Sequence, residues 1–318
     1  MSFLEFDCSD RTFEEIQIFA GFQDSNLEML NKCFKSVFMI RDQKIKVEVN
    51  DSLDTKRVEE VIDACFSIID TQHRLNYQDV NYICSLAFKN RLKDFKAHQL
   101  QAVCKTKTGK MIYPKTIGQA ILCDAMRHNE VVFATGVAGT GKTYLAVAYA
   151  VNMLKSERVE KIILTRPAVE AGESLGFLPG DMKEKVDPYL RPLYDALNEM
   201  LGLETVEKYV EKQVIEIAPL AFMRGRTLND AVVILDEAQN ATCAQMKMFL
   251  TRMGKNCKMV VTGDVTQIDL IKKKDSGLMQ ACTILDHIDG ISIIHLENSD
   301  VVRNPLVQKI IERYAKVE

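Results

Sequence analysis

The chain has 318 residues, 47% of them hydrophobic, and carries a net charge of −3. This composition is ample for a hydrophobic core, and the length suggests one large domain or two smaller ones. No apolar run is long enough to span a membrane, and the acidic N-terminus lacks the apolar segment of a signal peptide, so we expect a cytoplasmic protein. The nine cysteines form no C-x-x-C pair, which argues against a disulfide framework or a zinc site and favours reduced thiols.

The charge is unevenly distributed along the chain. Residues 1–80 have a balance of −7, whereas residues 81–115 hold eight basic side chains and one acidic side chain. Such a basic band occurs in nucleic-acid-binding surfaces. It is also typical of a solvated linker or helix face, which charge alone slightly favours. We therefore predict a basic connecting segment over residues 81–115.

The front of the chain predicts a small α+β domain over residues 1–80. Its predicted helix over 25–34 starts at an N-cap candidate, Ser25 or Asn26. The other predicted elements are a strand over 13–19, a hairpin over 36–49 and an amphipathic helix over 54–72. The predicted order is therefore β-α-β-β-α.

Residues 116–318 show a different pattern, in which short β-branched runs alternate with longer amphipathic segments. This alternation predicts a domain of the α/β class, with a parallel sheet covered by helices on both faces. Strands are predicted over 131–135, 160–165, 213–218, 231–236, 257–262 and 291–296. Helices are predicted over 116–127, 142–155, 181–200, 242–253, 276–288 and 304–316.

The stretch GVAGTGKT, residues 136–143, satisfies G-x-x-x-x-G-K-[ST] between a predicted strand and a predicted helix. Glycines let backbone N–H groups face phosphate oxygens, and the helix N-terminus favours negative charge. Lys142 is predicted to pair with the β- and γ-phosphates, and Thr143 to offer its hydroxyl to Mg²⁺. An unliganded glycine-rich turn is the alternative, but a lysine directed into such a turn would be poor structural design. The predicted phosphate-binding residues are Gly136, Val137, Ala138, Gly139, Thr140, Gly141, Lys142 and Thr143.

A second part of the same site is predicted in AVVILDEAQN, residues 231–240. Four apolar residues predict a buried strand, and Asp236 and Glu237 follow at its carboxyl end, where open α/β sheets bind ligands. Asp236 can hold Mg²⁺ through water, and Glu237 can orient or deprotonate the attacking water. A plain charged strand end is the weaker alternative, because both halves of one site occur together.

Two further segments contribute candidate site residues. Gln119, in PKTIGQ, carries the adjacent donor and acceptor that suit an adenine edge, although an exposed glutamine at a helix start explains it equally well. The stretch VVTGDVTQ predicts a strand whose end lies beside the γ-phosphate, where Gln267 can sense that phosphate; an ordinary β-to-α turn is the alternative. The residues placed there are Thr262, Gly263, Asp264 and Gln267.

A glutamine before the phosphate loop, the loop itself, D-E-A-Q and G-D-x-x-Q together look like the motifs of superfamily-one helicases. More specifically, the chain resembles the PhoH family of ATPases, a phosphate starvation-inducible protein family, in the branch with an N-terminal extension. The similarity extends over about residues 116–316. Its specific blocks lie at 114–119, 136–148, 165–197, 217–242, 245–254, 260–270 and 300–310. The chain departs from the usual family pattern at Val137, Ile271 and Asn304, none of which touches the phosphate chemistry.

The resemblance implies a RecA-like P-loop NTPase that hydrolyses ATP with Mg²⁺, helicase-like, in RNA metabolism. Single-stranded RNA and a separate endoribonuclease are the implied partners. The front domain resembles a KH-like fold in its element order, but residues 22–108 contain no glycine for the G-x-x-G loop that clamps a nucleic-acid backbone, which favours a scaffold or docking role. The alternative function is an ATP-dependent switch or adaptor with slow turnover. A small-molecule kinase is disfavoured by the motor-type motifs.

A helicase takes an arginine for the γ-phosphate from a second lobe, and the roughly 50 residues after Gln267 are too few for one. We therefore predict a ring or other head-to-tail homo-oligomer, with a hexamer as one option, whose neighbouring subunit supplies the arginine. Arg303 is predicted to begin a helix, where a cation is unfavourable because it lies at the positive end of the helix dipole. An unfavourable position of this kind indicates a functional role for the residue. A surface arginine in a salt bridge is the alternative. The other candidates are Arg166 and, less favoured, Arg224 and Arg226; Arg166, Glu170 and Glu173 are also candidates for facing nucleic acid or the next subunit.

Overall fold

The computed structural model describes residues 3–50, 53–97, 101–167 and 182–302, together with the single residues 307, 310 and 313. The chain forms two compact units, a front unit, Met1–Gln99, and a rear unit, Leu100–Glu318. Within the described ranges, no helix is both long enough and apolar enough to cross a membrane. All nine cysteines are free thiols, and most of them are buried.

The front unit is the small α+β region that the sequence predicts. Its strands are β1 (Phe3–Asp7), β2 (Phe38–Arg41) and β3 (Lys44–Glu48). Its helices are α1 (Phe13–Ala20), α2 (Ser25–Phe34), α3 (Thr55–Gln72), α4 (Tyr77–Phe88) and α5 (Leu92–Ala97). The strands form an antiparallel sheet in the order β1-β3-β2. The observed order is β-α-α-β-β-α-α-α.

The strand predicted over residues 13–19 is wrong, because this stretch forms α1. A capping box starts the helix: Glu15 N donates to Thr12 Oγ1 at 3.2 Å, and Thr12 N donates to Glu15 Oε2 at 2.8 Å. Ile16 and Phe19, three residues apart, then face the core together. The cap and the helical spacing of the buried residues decide the outcome. The strand β1 was not predicted.

The boundary between the units also differs from the predicted one near residue 80. Leu86 of α4 and Leu92 and Phe95 of α5 are buried in the front unit. Residues 101–115 belong to the rear unit, where β4 (Cys104–Lys105) and β5 (Met111–Ile112) form a hairpin whose Cys104 and Ile112 join the main core. The predicted connecting segment 81–115 is therefore not a separate region, because its apolar side chains anchor its two halves in different units.

The rear unit has the predicted α/β architecture, with one parallel sheet and flanking helices. Its sheet strands are β6 (Val131–Gly136), β7 (Lys161–Arg166), β8 (Ile215–Pro219), β9 (Ala231–Leu235), β10 (Cys257–Gly263) and β11 (Ile291–Leu296). Its helices are α6 (Ile117–His128), α7 (Lys142–Lys155), α8 (Met182–Leu201), α9 (Leu203–Glu211), α10 (Cys243–Leu250) and α11 (Gly277–Ile284). All six predicted strands are confirmed. The helix predicted over 304–316 lies mostly outside the described residues.

Burial on both faces explains why the inner strands β6, β7, β9 and β10 are mostly apolar. Along β6, Val132 and Ala134 face the core cluster that contains α7 and α8, whereas Val131 and Phe133 face the cluster that contains α10 and α11. Every residue of β9 is buried. A central parallel strand covered on both sides needs apolar residues at successive positions.

The strand order brings the polar ends of four strands together. The order is β11-β6-β10-β9-β7-β8, the arrangement of a RecA-like sheet, and all neighbours are parallel. Strand β10 lies between β6 and β9, so Gly263 pairs with Thr135 while Val261 pairs with Leu235. The segments that follow β6, β10, β9 and β7 therefore meet at one edge of the sheet, where ligands of open α/β folds bind.

Candidate nucleotide-binding site

The predicted phosphate loop lies between β6 and α7, as its motif requires. Gly136 has a φ of +147°, and a Cβ at this position would come within 2.5 Å of Leu296 O, so only glycine fits. Gly141 has a φ of +79° and directly precedes α7. Its conformation turns the chain from the loop into the helix, whose N-terminal N–H groups favour an anion.

Lys142 turns its side chain back into this loop. The ammonium donates to Gly136 O at 2.6 Å, to Val137 O at 2.9 Å and to Thr140 Oγ1 at 3.3 Å. The residue is 8% exposed and lines the cavity of the site. A buried cation held by neutral carbonyls carries no compensating charge from these partners, so the loop presents a positive charge to an anion.

Asp236 is the buried carboxylate of the site, with a side chain that is 3% exposed. Its Oδ1 accepts from Thr143 Oγ1 at 2.6 Å and from Thr262 Oγ1 at 2.7 Å. Because Thr143 lies in the first turn of α7, Thr262 lies in β10 and Asp236 follows β9, three separate elements fix this carboxylate. The structure thus brings together Thr143 and Asp236, the two residues that the sequence assigns to Mg²⁺, and that role stays a prediction.

Glu237 lies next to Asp236 but has a different environment. Its side chain is 45% exposed and lines the cavity. Its backbone is in the left-handed region, with a φ of +53° and a ψ of +38°, which is uncommon for a residue with a Cβ. Strained backbone of this kind persists where the surroundings enforce it. The two neighbouring carboxylates thus differ in exposure, with Asp236 at 3% and Glu237 at 45%.

Gln239 is a central residue of the site that the sequence reasoning missed. Its Nε2 donates to Glu237 Oε2 at 2.6 Å and to Gln267 O at 3.2 Å, while its Oε1 accepts from Asp264 N at 3.0 Å. A Cβ on Gly263 would come within 2.8 Å of Gln239 Oε1, so the glycine leaves room for this amide. The final letter of the D-E-A-Q motif was the signal that could have identified it.

Asp264 and Gln267 connect the end of β10 to the phosphate loop. Asp264 Oδ2 accepts from Ala138 N at 3.0 Å and from Gln267 Nε2 at 3.0 Å. Asp264 is 5% exposed, whereas Gln267 is exposed and lines the cavity. The geometry thus places Gln267 beside the loop, where the sequence predicts a sensor of the γ-phosphate.

The cavity between the loop and the strand ends has a volume of about 260 Å³. It is lined by one ammonium, hydroxyl and amide groups and three carboxylates, including those of Lys142, Thr143 and Asp236. Hydroxyl and carboxylate oxygens suit Mg²⁺, and the loop with its lysine suits phosphate, so these residues fit a magnesium nucleotide. No cluster of three His, Cys, Asp or Glu side chains able to hold a metal occurs among the described residues.

Gln119 lies behind the phosphate loop and is 4% exposed. Its Nε2 donates to Thr140 O at 2.9 Å, and its Oε1 accepts from Lys115 N at 2.7 Å. It is buried, not exposed, which removes the alternative of a solvated helix start. In this conformation the amide supports the loop backbone, and reading of an adenine edge stays a prediction.

The arginine candidates have different positions. Arg166, at the end of β7, contacts the carboxylates of its own chain: its Nη2 lies 2.7 Å from Asp236 Oδ2 and 3.2 Å from Glu237 Oε1. Arg226 forms a two-pronged pair with Glu216, with N–O distances of 2.5 and 2.7 Å. Arg303, Glu170 and Glu173 lie outside the described residues, and so does Asn304.

The fold and this site define a P-loop NTPase. The phosphate loop after β6, the carboxylate pair after β9 and the G-D-x-x-Q segment after β10 all meet at one edge of a RecA-like sheet. Residues 111–315 match the family described as "PhoH-like protein". The chain belongs to the PhoH family.

The similarity to other proteins supports the assignment of the chain to the PhoH family. The "PhoH-like protein" of Bacillus subtilis (strain 168) is 52% identical over 303 residues, covering 95% of this chain and 94% of that protein. The "PhoH-like protein" of Mycobacterium leprae (strain TN) is 47% identical, covering 94% of this chain and 85% of its own length. "Protein PhoH" of Escherichia coli (strain K12) is 46% identical over 193 residues, which are 60% of this chain and 54% of that protein.

Two solved structures resemble the chain more distantly. The Sulfolobus solfataricus SWI2/SNF2 ATPase core in complex with dsDNA has a TM-score of 0.38 at 11% identity, covering 63% of this chain and 47% of that chain. The Pif1 helicase from Candida albicans has a TM-score of 0.32 at 14% identity, covering 61% of this chain and 42% of that chain. The chain thus spans less than half the length of these two structures.

Proposed function

We propose that this protein hydrolyses ATP with Mg²⁺ and that hydrolysis is coupled to binding or remodelling of RNA. The observation that carries the proposal is the contrast between two adjacent carboxylates. Asp236 is buried and held by the Thr143 and Thr262 hydroxyls, whereas Glu237 is half-exposed in the cavity. A site that only bound nucleotide would not need a second carboxylate turned toward the cavity, so turnover is favoured over a slow switch.

The chemistry follows from the positions of the side chains. Lys142 and the loop N–H groups bind the β- and γ-phosphates, and Thr143 with Asp236 holds Mg²⁺, which supplies charge neutralisation there. Glu237 accepts a proton from water as the water oxygen bonds to the γ-phosphorus. The bond between the γ-phosphorus and its bridging oxygen breaks, and ADP leaves with that electron pair. Gln239 holds Glu237 Oε2 at 2.6 Å and so orients the base.

Coupling to RNA is supported by the family resemblance and by charge. The hairpin β4–β5 and the residues that follow it present basic side chains to solvent on the rear unit. They are Lys105, Lys107, Lys110 and Lys115. Phosphate contacts by lysines give a binding free energy that falls steeply with salt. An endoribonuclease partner is a further proposal, which rests on the resemblance alone.

Steady-state ATP hydrolysis, with and without single-stranded RNA, tests the proposal. We expect Glu237→Gln to lower the rate by about 10²–10⁴-fold. The matched control is Glu207→Gln, which changes an exposed carboxylate of α9 and leaves the rate unchanged. Stimulation by RNA should decrease as salt increases. Nucleotide binding with negligible turnover that ignores RNA would instead support the switch or adaptor.

A ring or other head-to-tail oligomer stays a prediction, and Arg303 supplied in trans is the alternative to an arginine that acts within its own chain. Sizing the protein in the same buffer with ATP present measures the assembly directly. If Arg303→Ala in the assembled protein hydrolyses ATP at the rate of the unmodified protein, Arg303 has no such role. A rate per subunit that does not change on dilution to monomer would contradict the need for a neighbour.

A further inference from the structure

The guanidinium of Arg166 occupies the carboxylate side of the site. Its Nε donates to Asp236 Oδ2 at 2.8 Å, its Nη2 approaches the same oxygen at 2.7 Å, and Nη2 also donates to Glu237 Oε1 at 3.2 Å. One cation thus bridges the proposed metal-binding carboxylate and the proposed base. The Arg166 side chain is only 16% exposed, so this is not a solvated surface pair.

The sheet itself positions this arginine. Strands β7 and β9 are parallel neighbours in which Thr165 pairs with Leu235, and Asp236 N donates to Thr165 O at 2.9 Å. Arg166 directly follows Thr165 and Asp236 directly follows Leu235, so the two residues occupy equivalent positions at the ends of adjacent strands. The backbone holds them side by side before any ligand arrives. The alternative role for Arg166, a surface arginine in a salt bridge, would not require this pairing of β7 with β9.

The charges at this edge imply two arrangements. Asp236, Glu237 and Asp264 carry three negative charges against the two positive charges of Lys142 and Arg166. A divalent cation held by Asp236 would repel the guanidinium and replace it at the Asp236 carboxylate, since like charges in a partly buried site interact strongly. Release of the guanidinium would also free Glu237 Oε1 to accept a proton.

We propose that Arg166 is the arginine that binds the γ-phosphate, that it acts within its own chain, and that its pairing with Asp236 and Glu237 is the resting arrangement that magnesium nucleotide displaces. This inference rests on the proposed function. A planar guanidinium matches phosphate oxygens with two parallel hydrogen bonds, which a lysine cannot reproduce. The two carboxylates that Arg166 contacts, Asp236 and Glu237, both line the cavity, so the guanidinium lies next to the proposed phosphate site.

Equilibrium binding provides a test that does not depend on turnover. ADP and a non-hydrolysable ATP analogue would be titrated against the unmodified protein and against Arg166→Ala and Arg166→Lys, over a range of Mg²⁺ concentrations. We expect Arg166→Ala to lose about tenfold or more of the preference for the ATP analogue over ADP, because the γ-phosphate loses its charge-assisted hydrogen bonds to the guanidinium. Nucleotide binding by Arg166→Ala should also require a lower Mg²⁺ concentration, because the guanidinium no longer competes with Mg²⁺ for the Asp236 carboxylate. Arg166→Lys keeps the charge and should fall between.

The control is Arg158→Ala, which removes an exposed arginine that precedes the start of β7, whereas Arg166 lies at its end. It should change neither the nucleotide preference nor the Mg²⁺ requirement. If Arg166→Ala and Arg166→Lys also change neither, the residue only supports the fold and the proposal is overturned. If the unmodified protein binds neither nucleotide, the proposed function fails as well, so the two failures are distinguishable.

Mixing two inactive variants separates action within the chain from action in trans. An Arg166→Ala chain keeps Glu237, and a Glu237→Gln chain keeps Arg166. If Arg166 acts within its own chain, no ratio of the two restores hydrolysis. Recovery on mixing would show that Arg166 serves a neighbouring site and would overturn the proposal that it acts within its own chain.

Discussion

The front and rear units use their polar side chains in different ways. In the front unit, Glu5 pairs with Lys44 and Lys46 at 3.0 Å each, and the Glu5 side chain is 40% exposed. In the rear unit, Asp236 is 3% exposed and accepts from side chains on three other segments. A solvated carboxylate needs no partner, whereas a buried one must be compensated by hydrogen bonds or charge. The cost of burying Asp236 therefore points to a function at this position, and the pairs of Glu5 do not.

The largest expected difference between the units is in catalysis. Lys142→Met keeps the length of the side chain but removes the cation from the phosphate loop. We expect ATP hydrolysis to fall by at least about 10²-fold, the scale for loss of one preorganised donor to developing charge. The control, Lys110→Met, removes an exposed lysine of the rear unit and should leave basal hydrolysis without RNA unchanged. Equal activity of the two variants would show that the loop does not bind the transferred phosphate.

The second prediction concerns stability of the front unit without a change in the site. Leu30 of α2 is fully buried, so Leu30→Ala should lower the free energy of unfolding by about 2–5 kcal/mol. Leu30→Met, which nearly conserves volume, should cost less than about 1.5 kcal/mol. The chain has no tryptophan, so hydrogen exchange over α2, together with circular dichroism, is the suitable measurement. A loss of protection confined to the rear unit would contradict this assignment.

Most of the rear unit could be predicted from its sequence for a physical reason. Its inner strands are covered on both faces, so each is mostly apolar, and the site motifs after β6, β9 and β10 follow such runs directly. The front unit was harder to predict because its segments are short and half-exposed. Residues 13–19 were predicted as a strand, but the hydrogen bonds between Thr12 and Glu15 select a helix.

Within the site, the contacts that the sequence did not predict are those that depend on strand order. The role of Gln239 requires β10 to lie between β6 and β9, which brings Asp264 N within 3.0 Å of its amide oxygen. The position of Arg166 requires β7 to pair with β9. Periodicity along the chain predicts that strands exist but not which strands are neighbours. Contacts that cross the sheet therefore had to come from the structure.

The smallest expected effects come from a matched pair of helix caps, one in each unit. Thr12 caps α1 and Thr242 caps α10, and each forms a complete capping box with the residue three positions later. Thr12→Ala and Thr242→Ala should each lower the free energy of unfolding by about 1 kcal/mol, measured by chemical denaturation.

The two caps should differ in their effect on hydrolysis. Thr242 follows the short turn Ala238–Asn240, which begins immediately after the left-handed Glu237, whereas Thr12 belongs to the other unit. Loosening the start of α10 releases one end of the turn that holds the base, and a misplacement of 1 Å can cost about 10²-fold in rate. We expect a several-fold decrease in hydrolysis for Thr242→Ala and none for Thr12→Ala. Equal rates would mean that Gln239 alone fixes Glu237, since its amide contacts Glu237, Asp264 and Gln267 independently of the cap.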